Sequence, residues 1–163
     1  MTDTRIVTLV SKDNEQFEIT RRAIARSRTI EKLIQNLDFD KTKGPWDAIP
    51  ITNVDANILK KVVAYCEHEV NEKIYTEKEN VDTSMLTDYV IRFLNVGETE
   101  LYELILAANF LNIKCLLHAA CETVANMIKG KSTDEIRRIY SIESDFSEEE
   151  MERVTKDNAW CAL

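Results

Sequence analysis

The sequence predicts an α/β chain in which a short strand-built start gives way to helices. Three observations carry this reading. Ile, Val and Phe crowd two short segments near the start, with a polar turn between them. Apolar residues from Leu101 to Ile128 recur at helical and not strand spacing. Two Ser/Glu pairs then follow, at 132/135 and 147/150, in the capping-box pattern. A chain of 163 residues can hold one compact domain and a smaller appendage.

Residues 5–10 and 16–19 form a β-hairpin about the turn Ser11-Lys12-Asp13-Asn14. Thr20 offers a helix cap, and residues 21–37, with Ile24, Ile30, Leu33, Ile34 and Leu37, read as one or two short helices. Residues 38–47, containing Gly44-Pro45-Trp46, form a loop. Residues 48–52 are a brief strand that Pro50 confines to a sheet edge. Asp55 caps a strong helix over 56–69 whose inward face is Ile58, Leu59, Val62, Val63 and Cys66. Residues 71–84 are charged and poor in apolar side chains, a solvated connector. Residues 85–94 lead from it into the apolar helices.

Between Leu101 and Ile128 only Glu103, Lys114 and Glu122 carry charge, in a chain that is 31% charged. Leu101, Leu104, Ile105, Ala108 and Leu111 make one stripe, and Tyr102, Leu106 and Phe110 make a second. One stripe is enough to join a helix to its own core, so the second asks for a neighbour. The next helix shows the same excess, with Ile113, Leu116, Leu117, Ala120, Val124 and Met127 on one side, widened by Cys115, Ala119, Cys121 and Ala125. Asn112 marks the turn between the two helices, and Gly130 closes the second as a left-handed cap. The rest of the chain is organised around this hairpin.

The capped helices that follow carry Ile136, Ile139, Tyr140, Ile142, Phe146, Met151, Val154 and Trp160, too few apolar residues to close a core alone. Trp160 is a large aromatic close to the end of the chain, and such a residue stays ordered only by docking.

Several classes of function are disfavoured. With 21 basic and 29 acidic residues the net charge is -8, which repels nucleic acid and anionic membrane. The chain lacks an apolar run of about 18 residues and a signal peptide's apolar centre, and is read as soluble and intracellular. The four cysteines are then buried reduced thiols, and Cys161, third from the end, makes no prenylation box.

Lys129-Gly130-Lys131-Ser132 resembles the end of a phosphate loop, but Ala125 replaces its first glycine and a helix precedes it. Cys115, His118 and Cys121 fan over about 120° of one helix with no fourth ligand, so no metal is expected, and no cofactor. Cys66 and His68, two apart on a helix, diverge and make no thiol and base pair. Glu148, Glu149 and Glu150 favour a helix dipole. Three glycines leave little of the sharp backbone that active sites use. The sequence reads as a binding protein with an apolar helical surface, not an enzyme.

The segments LILAAN (104–109), NIKCLL (112–117), ETVANMIKGKS (122–132), DEIRRIY (134–140), DFSEEE (145–150) and NAWC (158–161) resemble the S-phase kinase-associated adaptors of SCF ubiquitin ligases. ILKKVVAYCEHE (58–69), preceded by Ile51-Thr52-Asn53-Val54, is also similar, so the resemblance covers nearly the whole chain. It implies a BTB/POZ fold, a small sheet clustered with helices, over 1–129, followed by a C-terminal helical extension over 130–163.

It also implies a role: a non-catalytic bridge in protein ubiquitination, cytoplasmic and nuclear. The bridge joins a cullin scaffold, with its RING subunit indirectly, to F-box proteins. Asn109 and Phe110 match the family's Asn-aromatic pair at the cullin face. Leu101, Tyr102, Ile105, Leu117 and Val124, with Ile136, Tyr140, Ile142 and Trp160, match positions in the part that receives the F-box.

The sequence departs from the family at Tyr89 (usually tryptophan), Cys115 (glycine) and His118 (aspartate), and its ending lacks the charged residues that commonly follow Trp160, which suggests a diverged paralogue. Two rival readings remain: a self-assembling BTB/POZ module, and an adaptor that takes F-box proteins without a cullin. An elongin-like adaptor is disfavoured, because such chains lack the extension.

Overall fold

In the computed structural model of the chain, the described residues are 5–36, 48–71, 87–143 and 145–161. The expected loop at 38–47, Leu37, most of the connector at 71–84 and the start of the 85–94 segment lie outside them. The chain divides into two compact units, Met1–Ala125 and Asn126–Leu163.

The first unit opens on strands β1 (Ile6–Val10) and β2 (Gln16–Thr20), which pair antiparallel from Ile6 opposite Thr20 to Val10 opposite Gln16. Asn14 takes the left-handed conformation their tight turn requires, at φ 64°. A two-residue strand β3 (Ile49–Pro50) joins β1 in parallel, giving the order β2-β1-β3. Pro50 therefore sits on an edge strand, where a missing donor costs no ladder bond. Alternation along β1 turns Val7 and Leu9 into the core while Ile6 faces solvent.

Residues 21–37 resolve into two helices, α1 (Arg21–Ile24) and α2 (Arg28–Asn36). The Thr20 hydroxyl accepts from the Ala23 N–H, the expected cap. Ile24, Ile30 and Ile34 are buried, but Leu33 is exposed, a correction to its place in the apolar set. Ile30 and Ile34 share one face of α2, and Leu33 is turned about 100° from Ile34.

Helix α3 (Ala56–Asn71) lies at the centre of this unit, against α1, β2 and the later helix α5. Its buried face is Ile58, Leu59, Val62 and Cys66 as expected, with Val63 half-buried and with Tyr65, Glu69 and Val70 added. The carboxylate meeting its first turn is not that of Asp55. Asp13, in the β1–β2 turn, accepts from the Ala56 N–H at 2.8 Å, and Asp55 instead pairs with Lys12 at 3.2 Å. The Ser11 hydroxyl, then the N–H groups of Asp13 itself and of Ala56, hold the Asp13 carboxyl below its ordinary range.

Three helices complete the unit: α4 (Asp88–Leu94), α5 (Glu98–Phe110) and α6 (Lys114–Ile128). Leu94, Leu104, Leu111 and Leu116 are fully buried, and each contributes about 1.5–3 kcal/mol by leaving water. The α5–α6 corner is a Schellman turn. Asn112 sits at φ 53° and donates to Asn109, while Ile113 donates to Ala108.

The second unit begins in the last turns of α6, where Gly130 adopts φ 75° just after the helix ends, as its left-handed cap requires. It continues through α7 (Thr133–Ile139), α8 (Glu148–Asp157) and a 3-10 turn (Ala159–Cys161). Both expected capping boxes are complete. Ser132 and Glu135, and Ser147 and Glu150, each exchange side-chain and backbone hydrogen bonds. Helix α7 ends in a second Schellman turn, with Ser141 at φ 50° donating to Arg138 and Ile142 donating to Arg137.

Candidate functional site

Along α5 the two stripes separate as their spacing requires. Leu101, Leu104, Ala108 and Leu111 are buried and Ile105 is half-buried. Tyr102, Leu106 and Phe110, one turn apart, face water, with Leu106 68% exposed. This outward row is the surface that composition alone left unexplained. Leu106 has the highest fractional exposure of the three and is not among the residues matched by resemblance, although its spacing from Tyr102 and Phe110 marks it.

The residues matched to a cullin face stand at the C-terminal end of this row. Asn109 is exposed and Phe110 is 40% exposed. Among those matched to an F-box surface, Tyr102 is exposed, and Ile105, Leu117 and Val124 are half-buried. Leu101 differs. At 2% exposure it belongs to the unit's own core, because on α5 it shares the inward stripe with Leu104 and Ala108, and it offers no surface to another chain.

On α6, burial stops early. Leu116, Ala119 and Ala120 are buried, but from Cys121 to the end none of the described residues is. Cys121 and Ala125 are exposed, and only Cys66 of the described cysteine side chains is fully buried. The expectation of buried thiols holds for Cys66, half for Cys115, and fails for Cys121, which lies beyond the last buried turn. Cys66, Cys115 and Cys121 are free thiols. Burial pushes the Cys66 thiol up to about 12 and raises Cys115 as well, so neither is an activated nucleophile.

The second unit presents apolar side chains without covering them. Ile136 and Tyr140 on α7 are half-buried, Ile142 and Phe146 are exposed, and Trp160 is 76% exposed. Helix α8 brings Met151 and Val154 to one face, and a shallow recess runs along Glu148, Met151, Thr155 and Ala159. Hydrogen bonds from the backbone and hydroxyl of Ser132 hold the Glu135 carboxyl below its ordinary value, and Ser147 does the same for Glu150. These carboxylates are helix caps and are not poised for proton transfer. Among the described residues no group of three or more His, Cys, Asp or Glu is placed to hold a metal, and no helix is long and apolar enough to cross a membrane.

The arrangement offers surface and little chemistry: exposed apolar rows, capped helix starts and one buried thiol, Cys66. Comparison with known proteins gives it a family. Residues 5–71 match the Skp1 family tetramerisation domain, and residues 114–161 match the Skp1 family dimerisation domain. A Skp1-related protein of Caenorhabditis elegans is 46% identical over 161 residues, covering 96% of this chain and 92% of its own length. The E3 ubiquitin ligase complex SCF subunit sconC of Arthroderma otae is 39% identical over 163 residues, covering 98% of this chain and 96% of its own length. Its counterpart in Arthroderma benhamiae matches to the same extent. A three-stranded sheet clustered with helices and followed by capped helices is the α/β, BTB/POZ architecture with a helical C-terminus, and the chain belongs to the Skp1 family.

Proposed function

We propose that the chain is a non-catalytic adaptor of an SCF-type ubiquitin ligase, bridging a cullin scaffold and F-box substrate receptors in the cytoplasm and nucleus. The observation that carries this reading is the end of burial at Ala120 while apolar residues continue to Trp160. A soluble chain rarely leaves that much apolar surface in water without a partner to cover it. The names of the fungal relatives as SCF subunits support the same reading.

In the bridging mechanism, F-box helices pack against α7, α8 and Trp160, and the first unit brings its own share through Tyr102, Ile105, Leu117 and Val124. A mixed core of this kind buries on the order of 2,000 Å² and resembles a domain core cut in half. Residues 1–129 hold the cullin through Asn109 and Phe110, and the cullin carries its RING subunit. The adaptor supplies position only.

A second reading has its own support. The exposed row Tyr102, Leu106 and Phe110, with the tetramerisation-domain match over residues 5–71, favours self-association through the first unit. Sedimentation of the purified chain with and without an F-box segment separates the two. A 1:1 complex that then takes up a cullin amino-terminal fragment supports the adaptor. An oligomer indifferent to the F-box segment supports self-assembly, and a 1:1 complex that ignores the cullin leaves an adaptor without a scaffold.

A further inference from the structure

We infer that the start of α2 is a latch that fixes the Asn109 and Phe110 pair, with Thr29 as the positioning residue for scaffold binding; this rests on the cullin-binding reading above. The last carbonyls of a helix have no partner within it and must find donors elsewhere. At the end of α5 those donors come from far back in the chain. The Thr29 hydroxyl donates to the Phe110 carbonyl at 2.9 Å. The Leu111 carbonyl accepts from the buried Ser27 hydroxyl at 2.6 Å and from the Thr29 N–H at 3.4 Å.

Ser27 also accepts from the Ile30 N–H at 3.2 Å, so one hydroxyl both caps α2 and ties it to α5. The helices meet negative end to positive end, which favours the junction electrostatically. On the other side of Phe110, the Schellman turn through Asn112 and Ile113 closes back on Asn109 and Ala108. The backbone of the pair is thus gripped from both directions while its side chains face water. A docking side chain on a backbone already fixed spends less of its binding free energy on ordering.

Ser27 is buried and its loss threatens the fold. Thr29 is only partly buried, and its hydroxyl bond lies at the surface, so Thr29→Val removes the donor while keeping the shape. The test uses the full chain and its Thr29→Val and Thr29→Ser variants. Each is titrated against a cullin amino-terminal fragment and against an F-box segment, and amide exchange at Asn112 and Ile113 is followed in the unbound protein. Thr29→Val is expected to weaken the cullin fragment about three- to tenfold, the equivalent of one hydrogen bond, and to leave the F-box segment unaffected. It also speeds exchange at the two amides, and Thr29→Ser restores both readouts.

Unchanged cullin affinity overturns the latch. So does a loss without faster exchange, which makes Thr29 a direct contact, a parallel loss of the F-box segment, which reports unfolding, or a failure of serine to rescue. If the unsubstituted chain ignores the cullin fragment, the scaffold reading falls and the latch with it, a result distinct from an indifferent variant.

Discussion

The Tyr65 hydroxyl donates to Oε1 of Glu69 at 2.5 Å, one turn further along α3, and this carboxylate is only 7% exposed. Arg26 Nε stands 3.8 Å from the other oxygen. Burial pushes the Glu69 carboxyl above its ordinary value of 4.5, and Tyr65 and Arg26 offset part of that rise.

A raised value means that the folded chain keeps a proton the unfolded chain has released. Stability therefore falls as pH rises from 4.5 toward the higher value of Glu69. Glu69→Gln should flatten that slope, and Tyr65→Phe should cost about 1–3 kcal/mol near neutral pH by leaving the carboxylate short of a donor. Denaturant midpoints between about pH 4 and pH 8 check both. A Gln variant as pH-sensitive as the original would sink the assignment.

Among the described residues, Trp160 is the most exposed of the large apolar side chains. If it anchors the receptor, Trp160→Ala should weaken F-box binding by about 2 kcal/mol and leave thermal stability nearly unchanged. Calorimetric titration with an F-box segment measures the first and a melting curve the second. A loss of only a few tenths assigns the anchor elsewhere.

Replacing Asn109 and Phe110 together with lysine places charge where the scaffold would have to desolvate it. Cullin affinity should drop more than about tenfold while the F-box segment still binds. Failure of both bindings together points to a damaged fold, which circular dichroism of the variant reveals.

Ser141 holds a left-handed conformation in a turn where glycine fits without strain. Ser141→Gly should stabilise the end of α7 by about 0.5–1 kcal/mol, net of glycine's greater freedom when unfolded. Asn112→Gly should change little, because asparagine tolerates that region. Helical ellipticity against temperature reads out each variant, and a Ser141→Gly chain that melts earlier argues against strain at this turn.

Features written in neighbouring residues are legible in the sequence itself. Thr20, both capping boxes, Asn112 and Gly130 act within a turn or two of their own position, and Pro50 restricts its strand wherever the sheet closes. The apolar rows of α5 followed from spacing alone. What escaped the sequence depends on chain segments brought together from afar. Asp13 reaches Ala56 across 43 positions and Thr29 reaches Phe110 across 81, and no local pattern marks either pair. Cys121 and Leu33 look apolar in sequence, but their exposure is set by where the surrounding core ends.

The capping boxes at the starts of α7 and α8 have a wider consequence. Each helix is closed by its own first residues, and its side chains are not committed to a core of their own. A partner that packs on α7 and α8 would then meet helix ends already closed and cover the exposed and half-buried apolar side chains they leave open. On the proposed adaptor reading, one chain would then serve receptors of differing shape, and selectivity among targets would pass to the receptor.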